Sequence, residues 1–368
     1  MTSPTAVYER LHDVLGEVAQ RLKLRGPDPA LELAGRFGVR RWIERHVRND
    51  GELPPSPWLQ QGASLRKEAR QLSRALTDAD VRHCFFKGIA LIGRFYRIDE
   101  RHLADIDLLI DRADRTRALT ALHAHGYGQL GDARRWGPAT GRPGVTLART
   151  DTSVANDHTE LLLDLHWGLE SLGTLLPDEE VALPPTVWAR VRTEQGLPVL
   201  PDEYHAAVVL HHLVRHDMLH VRGLLDFTLL WDAIPREAGQ ELSYLARALG
   251  VERALRVVGR VLVDDLRRYP LRGVRLGPSD WRDRAALREL RLQDWLVRAA
   301  RQASPGAQHV TVTRSLAWRR FLLADAARPS RLMREVMAPP SQYLRWRWPG
   351  IPPGRAAWRR NLVAALRA

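Results

Sequence analysis

Two aspartates, Asp105 and Asp107, stand two positions apart inside the apolar stretch Leu103–Ile110. The stretch predicts a buried strand, on which side chains two positions apart point to the same face. Two such carboxylates repel each other and lose hydration, and a divalent cation relieves both costs. The pair is therefore a candidate metal site, and without a cation we expect both carboxylates to destabilise the fold. Asp-x-Asp also occurs at strand ends and in turns, where it binds no metal.

A Lys-Gly pair precedes the two aspartates, and regular patterns flank it. Residues 81–86 are mostly apolar, which predicts a strand leading into Lys87-Gly88. Residues 89–96 carry apolar side chains at spacings that suit one face of a helix. Arg101 follows, four residues before the first aspartate. The predicted order is a strand, a Lys-Gly turn, a helix, an arginine and an acidic strand, which is more specific than Asp-x-Asp alone.

This order resembles the signature of the uncharacterised nucleotidyltransferase family, within the polymerase-β-like superfamily. That signature reads roughly Leu-Lys-Gly-x-Ala-Leu, then Arg-x-x-x-Asp-Ile-Asp-Leu-Leu. The chain has Phe-Lys-Gly-Ile-Ala-Leu at 86–91 and Arg-His-Leu-Ala-Asp-Ile-Asp-Leu-Leu at 101–109. The resemblance covers roughly residues 60–235. It implies an α+β fold, with a polymerase-β-like nucleotidyltransferase core, a small mixed sheet with helices, between an N-terminal helical lead-in and a C-terminal helical domain.

A second buried strand is predicted where the chain reads Glu-Leu-Leu-Leu-Asp-Leu-His-Trp, at residues 160–167. Polymerase-β-like enzymes carry a third carboxylate on a strand that faces the aspartate pair, so the resemblance implies this role for Asp164. Glu160 lies on the same predicted face and is the alternative. A strand-end aspartate bonded to the backbone is the non-functional interpretation of Asp164. His166 is expected to line the wall of the cleft.

The resemblance implies metal-dependent transfer of a nucleoside monophosphate from a nucleoside triphosphate to an acceptor. Two Mg²⁺ ions about 3.5–4 Å apart would stabilise the attacking and leaving oxygens. Asp105, Asp107 and Asp164 are the predicted catalytic residues and metal ligands. The acceptor could be a small molecule, a sugar, a peptide or a protein. One alternative is a catalytically silent nucleotide-binding or scaffold protein, against which the three aspartates count. Another is a polyanion-binding protein that acts through its basic C-terminal tail.

Lys87, Gly88 and Arg101 are the predicted phosphate-binding residues. The superfamily's usual Gly-Ser turn is replaced by Lys-Gly, so the phosphate contacts must differ from the usual ones. The glycine could bring backbone N–H groups at the start of the next helix up to the triphosphate. Lys87 would add a positive charge, and Arg101 would contact phosphate or brace the aspartate strand. Solvated surface charges are the alternative for both cations.

Three histidines follow in the part of the chain beyond residue 201, which is predicted to be helical. His212, His216 and His220 are four residues apart, which places them on one face of an unbroken helix. This spacing can bind zinc, but no glutamate lies between them to complete a metallohydrolase motif. His216-Asp217 resembles a phosphohydrolase dyad whose other ligands are missing. We expect His212 and His216 to be structural groups or to line the active cleft.

The 368 residues are enough for several domains, and no apolar run approaches the ~20 residues of a membrane span. The chain starts without the pattern of a secretion signal. A single cysteine, Cys84, fits a reducing compartment, so we expect a cytoplasmic protein. The predicted domains are a helical segment at 1–75, the nucleotidyltransferase core at 76–200, a helical domain at 201–327 and a basic tail at 328–368.

The positive charge is concentrated near the C-terminus. Residues 314–368 hold twelve arginines and two acidic residues, which accounts for +10 of the net charge of +13. Residues 339–368 combine arginines with three tryptophans and five prolines. This composition suits a polyanion such as nucleic acid, or a membrane surface. A solvated tail without a partner is the alternative.

Overall fold

The structure is a computed structural model that describes most of the first 292 residues. The predicted basic tail, and the end of the predicted helical domain beyond residue 297 apart from 322–323, lie outside the described residues. The described ranges are 4–24, 27–37, 39–48, 56, 58–129, 144–151, 159–170, 172, 180–181, 183–215, 221–278, 280–292, 296–297 and 322–323.

The described residues divide into two compact units. One unit draws its residues from Met1–Arg48, Leu172–Pro177 and Ala206–Ala368, and its described elements are helices. The other draws its residues from Asn49–Ser171 and Asp178–His205 and contains all the described strands. We call them the helical unit and the sheet unit. Together they make the chain an α+β protein, as predicted.

The strands and helices follow one another in a mixed order along the chain. The strands are β1 (His83–Phe85), β2 (Ile106–Ile110), β3 (Gly128–Gln129), β4 (Gly144–Asp151), β5 (Thr159–His166), β6 (Leu169–Glu170), β7 (Glu180–Val181), β8 (Arg192–Glu194) and β9 (Leu197–Val199). The α-helices are α1 (Pro4–Arg21), α2 (Pro29–Arg36), α3 (Arg40–Arg48), α4 (Leu59–Asp78), α5 (Gly88–Leu91), α6 (Arg115–Ala124), α7 (Asp202–Arg215), α8 (Val221–Ala233), α9 (Gly239–Ala248), α10 (Glu252–Asp264) and α11 (Trp281–Glu289).

Seven of these strands form one mixed sheet, in the order β3-β4-β5-β2-β1-β9-β8. The central strand β2 pairs antiparallel with β1 and parallel with β5. All five residues of β2 are buried, which fits an apolar strand covered on both faces. Helix α4 packs against α5, α6 and β9 and buries Leu65, Leu72 and Leu76. The central strand β2 is therefore paired on both sides within the sheet.

Two predicted elements differ in length from those observed. The acidic strand begins at Ile106, so Asp105 lies just before it. The helix predicted over 89–96 is wrong beyond Leu91, because Ile92 is extended and Gly93 has a φ of +85°. A buried arginine of α4 explains this end, since Arg66 Nη1 donates a hydrogen bond to the Ile92 carbonyl at 3.0 Å. A Cβ at residue 93 would also collide with that guanidinium.

The helical unit contains two groups of helices that pack closely within each group. Helices α1, α2 and α3 pack on one another, and α10 packs against α9 and α11. Trp42 and Trp231 are among its largest fully buried side chains, and Trp231 Nε1 donates to the Tyr269 carbonyl at 2.9 Å. None of the described helices is both long and apolar enough to cross a membrane.

Candidate functional site

Two carboxylates and an imidazole meet at the centre of the sheet. In the parallel pair β2–β5, Asp107 lies directly opposite Asp164, so both side chains project from the same face. His166 follows two positions later on β5 and shares that face. One ligand atom from each of the three residues lies within 4.8 Å of the other two. The pairing of strands thus brings together residues 57 positions apart in the sequence.

The His166 ring is placed by its neighbours, and its Nε2 faces Asp107. Its Nε2 is buried, lies 3.6 Å from Asp107 Oδ1 and has no hydrogen-bond partner among the described residues. The Phe86 ring meets it edge-on, with ring centroids 5.2 Å apart. On β4, Gly144 leaves room for the ring, since a Cβ there would come within 3.3 Å of His166 Nδ1. The position of Nε2 suits a metal ligand.

Asp164 is oriented by the strand on its other side. Thr146 lies opposite it in the antiparallel pair β4–β5, and Thr146 Oγ1 donates to Asp164 Oδ1 at 2.7 Å. This bond fixes the carboxylate plane, as hydrogen-bonded carboxylates beside metal sites are commonly fixed. The sequence offered no signal for Thr146, because the contact depends on the register of β4 against β5.

Asp107 is paired with a lysine. Lys87 Nζ lies 2.6 Å from Asp107 Oδ1, and the exposed fractions of the two side chains are 15% and 7%. Burial alone would raise the pKa of the Asp107 carboxyl, but Lys87 and His166 outweigh it. Together they lower this pKa to about 2. Asp107 is therefore a carboxylate stabilised in its charged form, contrary to the expectation that both aspartates of the pair would be destabilising.

Asp105 behaves in the opposite way. Burial is the main cause that raises the pKa of its carboxyl to about 6, and the charges of Asp107 and Asp164 add to it. The charges of Lys87 and Arg101 act in the other direction but do not compensate. Among the described residues Asp105 is not a member of the group whose ligand atoms lie within 4.8 Å. Asp105 is therefore a carboxyl group next to the candidate metal ligands, and its own role in metal binding stays a prediction.

The Lys87 backbone adopts a left-handed conformation, with φ of +52° and ψ of −136°, which a lysine rarely adopts. Its N–H donates to His205 Nε2 at 2.8 Å, and His205 is 2% exposed. His205 lies in the first turn of α7, where Asp202 binds both Arg94 and Arg192. A strained turn of this kind persists when its surroundings hold it. His205 thus fixes the turn that carries Lys87, and no sequence motif pointed to it.

Gly88 and Arg101 are in contact. A Cβ added at Gly88 would overlap the Arg101 guanidinium and come within 2.7 Å of Leu103 Cδ2. The glycine therefore admits Arg101, whose Cζ also lies 5.9 Å from the centroid of the Tyr96 ring. Helix α5 has four residues, so its macrodipole is short. The phosphate-binding role predicted for these residues remains a prediction.

The other predicted site residues lie outside this cluster or outside the described part of the chain. The side chain of Glu160, the alternative to Asp164, is not among those described, nor are His216 and His220. His212 is half-buried on α7, in the helical unit. Its placement in the cleft wall stays a prediction.

The donor set fits a divalent cation. Carboxylate oxygens are the ligands that Mg²⁺ and Mn²⁺ prefer, and imidazole suits Mn²⁺ and later transition metals. His166 Nε2 is buried and has no hydrogen bond within 3.5 Å, only the 3.6 Å approach to Asp107 Oδ1, and this favours a bound ion because a buried polar atom without a good hydrogen bond costs free energy. Asp107, Asp164 and His166 are the described residues that could hold it.

Comparison with known proteins gives one clear result. A search of the curated proteins finds no match. The family model described as "Uncharacterised nucleotidyltransferase" matches residues 59–264, which is more than half of the chain and includes every strand of the seven-stranded sheet. The site residues on β2 and β5 lie within the matched part. The chain therefore belongs to the uncharacterised nucleotidyltransferase family.

Proposed function

We propose that this protein is a metal-dependent nucleotidyltransferase, which moves a nucleoside monophosphate from a nucleoside triphosphate to an acceptor. The observation that carries the proposal is the convergence of Asp107, Asp164 and His166 on one face of the sheet, with one ligand atom of each within 4.8 Å of the other two. Membership of the family supports the reaction class. The acceptor is a small molecule, a sugar, a peptide or a protein, and the protein works in the cytoplasm.

Asp107 and Asp164 would hold the cation, with Asp105 as the third carboxylate beside them. Two Mg²⁺ ions held there would supply positive charge to the transferring phosphate and to the leaving pyrophosphate. Thr146 keeps the Asp164 carboxylate oriented, and Phe86 keeps the His166 ring in place. These residues supply a preorganised set of ligands, which reduces the reorganisation needed when the substrate arrives.

The positive charges beside the carboxylates would bind the triphosphate. Lys87 and Arg101 both interact electrostatically with Asp105, so they lie close to the acidic cluster. Arginine can bind a phosphate group with two hydrogen bonds, and lysine with a movable single charge. The hydrogen bond from the Lys87 N–H to His205 fixes the turn and thereby the position of the Lys87 backbone from which the side chain extends.

A labelled-nucleotide assay tests the proposal. The protein is incubated with Mg²⁺ or Mn²⁺ and each α-³²P nucleoside triphosphate, together with a cell extract that supplies acceptors. We expect one or more bands or small molecules to become labelled. Asp164→Asn should reduce labelling by at least about 100-fold, because a metal ligand is lost. Asp264→Asn, at an exposed ion pair with Arg260, is the matched control and should label as the wild type does.

Two results would count against the reaction. Equal labelling by Asp164→Asn and the wild type would place the chemistry elsewhere. Tight nucleotide binding without labelling of any acceptor would instead favour the silent nucleotide-binding protein. The three carboxyl groups at the sheet centre argue against that second function, since a scaffold gains nothing from crowding them.

A further inference from the structure

One oxygen atom at the site, Asp107 Oδ1, binds the Lys87 ammonium and also belongs to the group that could hold a metal. Asp107 Oδ1 accepts a hydrogen bond from the Lys87 ammonium at 2.6 Å. The same oxygen lies 3.6 Å from His166 Nε2, within the group that could hold a metal. A metal–oxygen bond is about 2.0–2.2 Å long, so a divalent ion on this oxygen would stand next to the ammonium. Two cations at such a distance repel each other strongly in a partly buried site.

The lysine has a fixed backbone and a movable side chain. Its N–H is held by His205, so the turn stays in place. Its four-carbon stem can rotate, and Nζ lies 5.1 Å from the centroid of the Phe86 ring, at the edge of the cluster. The ammonium can therefore leave Asp107 without moving the main chain, provided that another anion receives it.

We propose that Lys87 occupies the cation position on Asp107 until a triphosphate arrives, and that the triphosphate draws the ammonium away and thereby opens the metal site. This inference rests on the proposed function, because it takes the triphosphate as the ligand. The phosphate oxygens are the anion that receives the ammonium, and the vacated Asp107 Oδ1 becomes the metal ligand. Metal and triphosphate then bind as a linked pair, and each raises the affinity of the other.

The proposal makes a counter-intuitive prediction for the metal alone. Removing Lys87 should strengthen metal binding in the absence of any phosphate, because the competing cation is gone. If the pair were a permanent structural salt bridge, removing the lysine would leave metal affinity unchanged or abolish folding. The two interpretations therefore predict different metal affinities for the variants that lack Lys87.

The experiment measures Mn²⁺ binding to the full chain by calorimetry and electron paramagnetic resonance, at pH 7.5 and without phosphate. Lys87→Ala and Lys87→Met should bind Mn²⁺ between about 5-fold and 150-fold more tightly than the wild type, the usual range of coupling between two sites. Lys67→Ala, which removes an exposed lysine on α4, is the matched control and should not change the affinity. Adding Asp107→Asn to Lys87→Ala should abolish the gain, which locates the ion.

A second measurement uses inorganic tripolyphosphate in metal-free buffer with EDTA. The wild type and Lys67→Ala should bind it, and both Lys87 variants should bind it at least about 5-fold more weakly. Unchanged or weaker Mn²⁺ binding by both Lys87 variants overturns the proposal, and so does the failure of both to fold. If these results hold while no acceptor is labelled, the exchange of cations stands and the proposed transfer reaction fails.

Discussion

The carboxyl groups of Asp105 and Asp107 are two residues apart and have opposite electrostatic surroundings. Asp107 is held in its charged form by Lys87 and His166, whereas Asp105 is half-buried beside other carboxylates. A charge repelled in the folded state destabilises the protein, and a charge that is paired there stabilises it. The two aspartates should therefore respond in opposite ways to the same substitution.

Asp105→Asn should stabilise the metal-free protein at neutral pH. The pKa of about 6 in the folded protein lies above the unfolded value. The Asp105 charge therefore lowers the stability of the wild type fully above pH 6, and this destabilisation fades as the pH falls towards 4. We expect a gain of about 1–3 kcal/mol at pH 8, since one pKa unit corresponds to about 1.4 kcal/mol. Thermal melting in EDTA from pH 4 to pH 8 measures it. Asp80→Asn, at an exposed residue, is the control.

Asp107→Asn should destabilise the metal-free protein at neutral pH, by about 3 kcal/mol, because it leaves the Lys87 ammonium without its buried partner. The folded pKa of about 2 lies below the unfolded value. The contribution of the charge is therefore complete above about pH 4 and is lost as the pH falls towards 2. Denaturant unfolding in EDTA at pH 7 is the measurement. A variant as stable as the wild type would contradict the Lys87–Asp107 pair.

At the scale of the elements, the site depends on the register of β4, β5 and β2. Asp164 lies between Thr146 on one side and Asp107 on the other, and a shift by one residue would turn all three side chains away from the site. Gly144, at the start of β4, lies opposite His166. A Cβ at residue 144 would come within 2.6 Å of the Leu165 carbonyl oxygen.

Gly144→Ala should therefore disturb the end of the β4–β5 pair next to the site. We expect a loss of about 1–3 kcal/mol in stability, as for other overpacked positions, together with weaker Mn²⁺ binding. Gly128→Ala on β3 is the matched control, because a Cβ there meets no atom within 4 Å. Chemical denaturation and Mn²⁺ titration of both variants provide the comparison. Equal effects of the two alanines would remove Gly144 from the support of His166.

The sequence was most informative about the central elements. The apolar runs around Asp107 and Asp164 predicted β2 and β5, and the family resemblance supplied their roles. The sequence was least informative about Lys87, which bonds to Asp107 and His205, 20 and 118 residues away along the chain. Contacts of this kind leave no periodic pattern in the chain. The shortened α5 likewise depends on Arg66, a residue of another helix, which binds the Ile92 carbonyl.

At the scale of the whole molecule, the charge is unevenly distributed along the chain. Residues 314–368 supply +10 of the net +13, and deletion of residues 339–368 would remove six arginines and three tryptophans. Five prolines within 339–353 disfavour regular helices and strands there. We propose that this tail binds a polyanion or an anionic membrane surface.

The truncated protein, ending at residue 338, should keep its melting temperature and its Mn²⁺ affinity but lose binding to DNA. For six phosphate contacts, DNA binding by the full chain should fall by up to about 10³ between 50 and 200 mM salt. A full-length variant with the six arginines changed to glutamine separates charge from the tryptophans. If truncation unfolds the protein, the tryptophans are packing anchors and the polyanion proposal has no basis.

The bond from Lys87 to His205 joins residues 118 positions apart, and β1 pairs with β9 from nearly as far along the chain. A ribosome adds about 5–20 residues per second, so roughly 6–24 s pass before the partner of Lys87 exists. During that time one edge of β1 is open, and open strand edges promote aggregation. Stalled nascent chains with 190 and 240 residues outside the ribosome, which lack and contain both β9 and His205, should therefore differ in the protease resistance of residues 81–91. During synthesis the candidate metal ligands Asp107, Asp164 and His166 therefore emerge before His205, which fixes the turn that carries the competing Lys87.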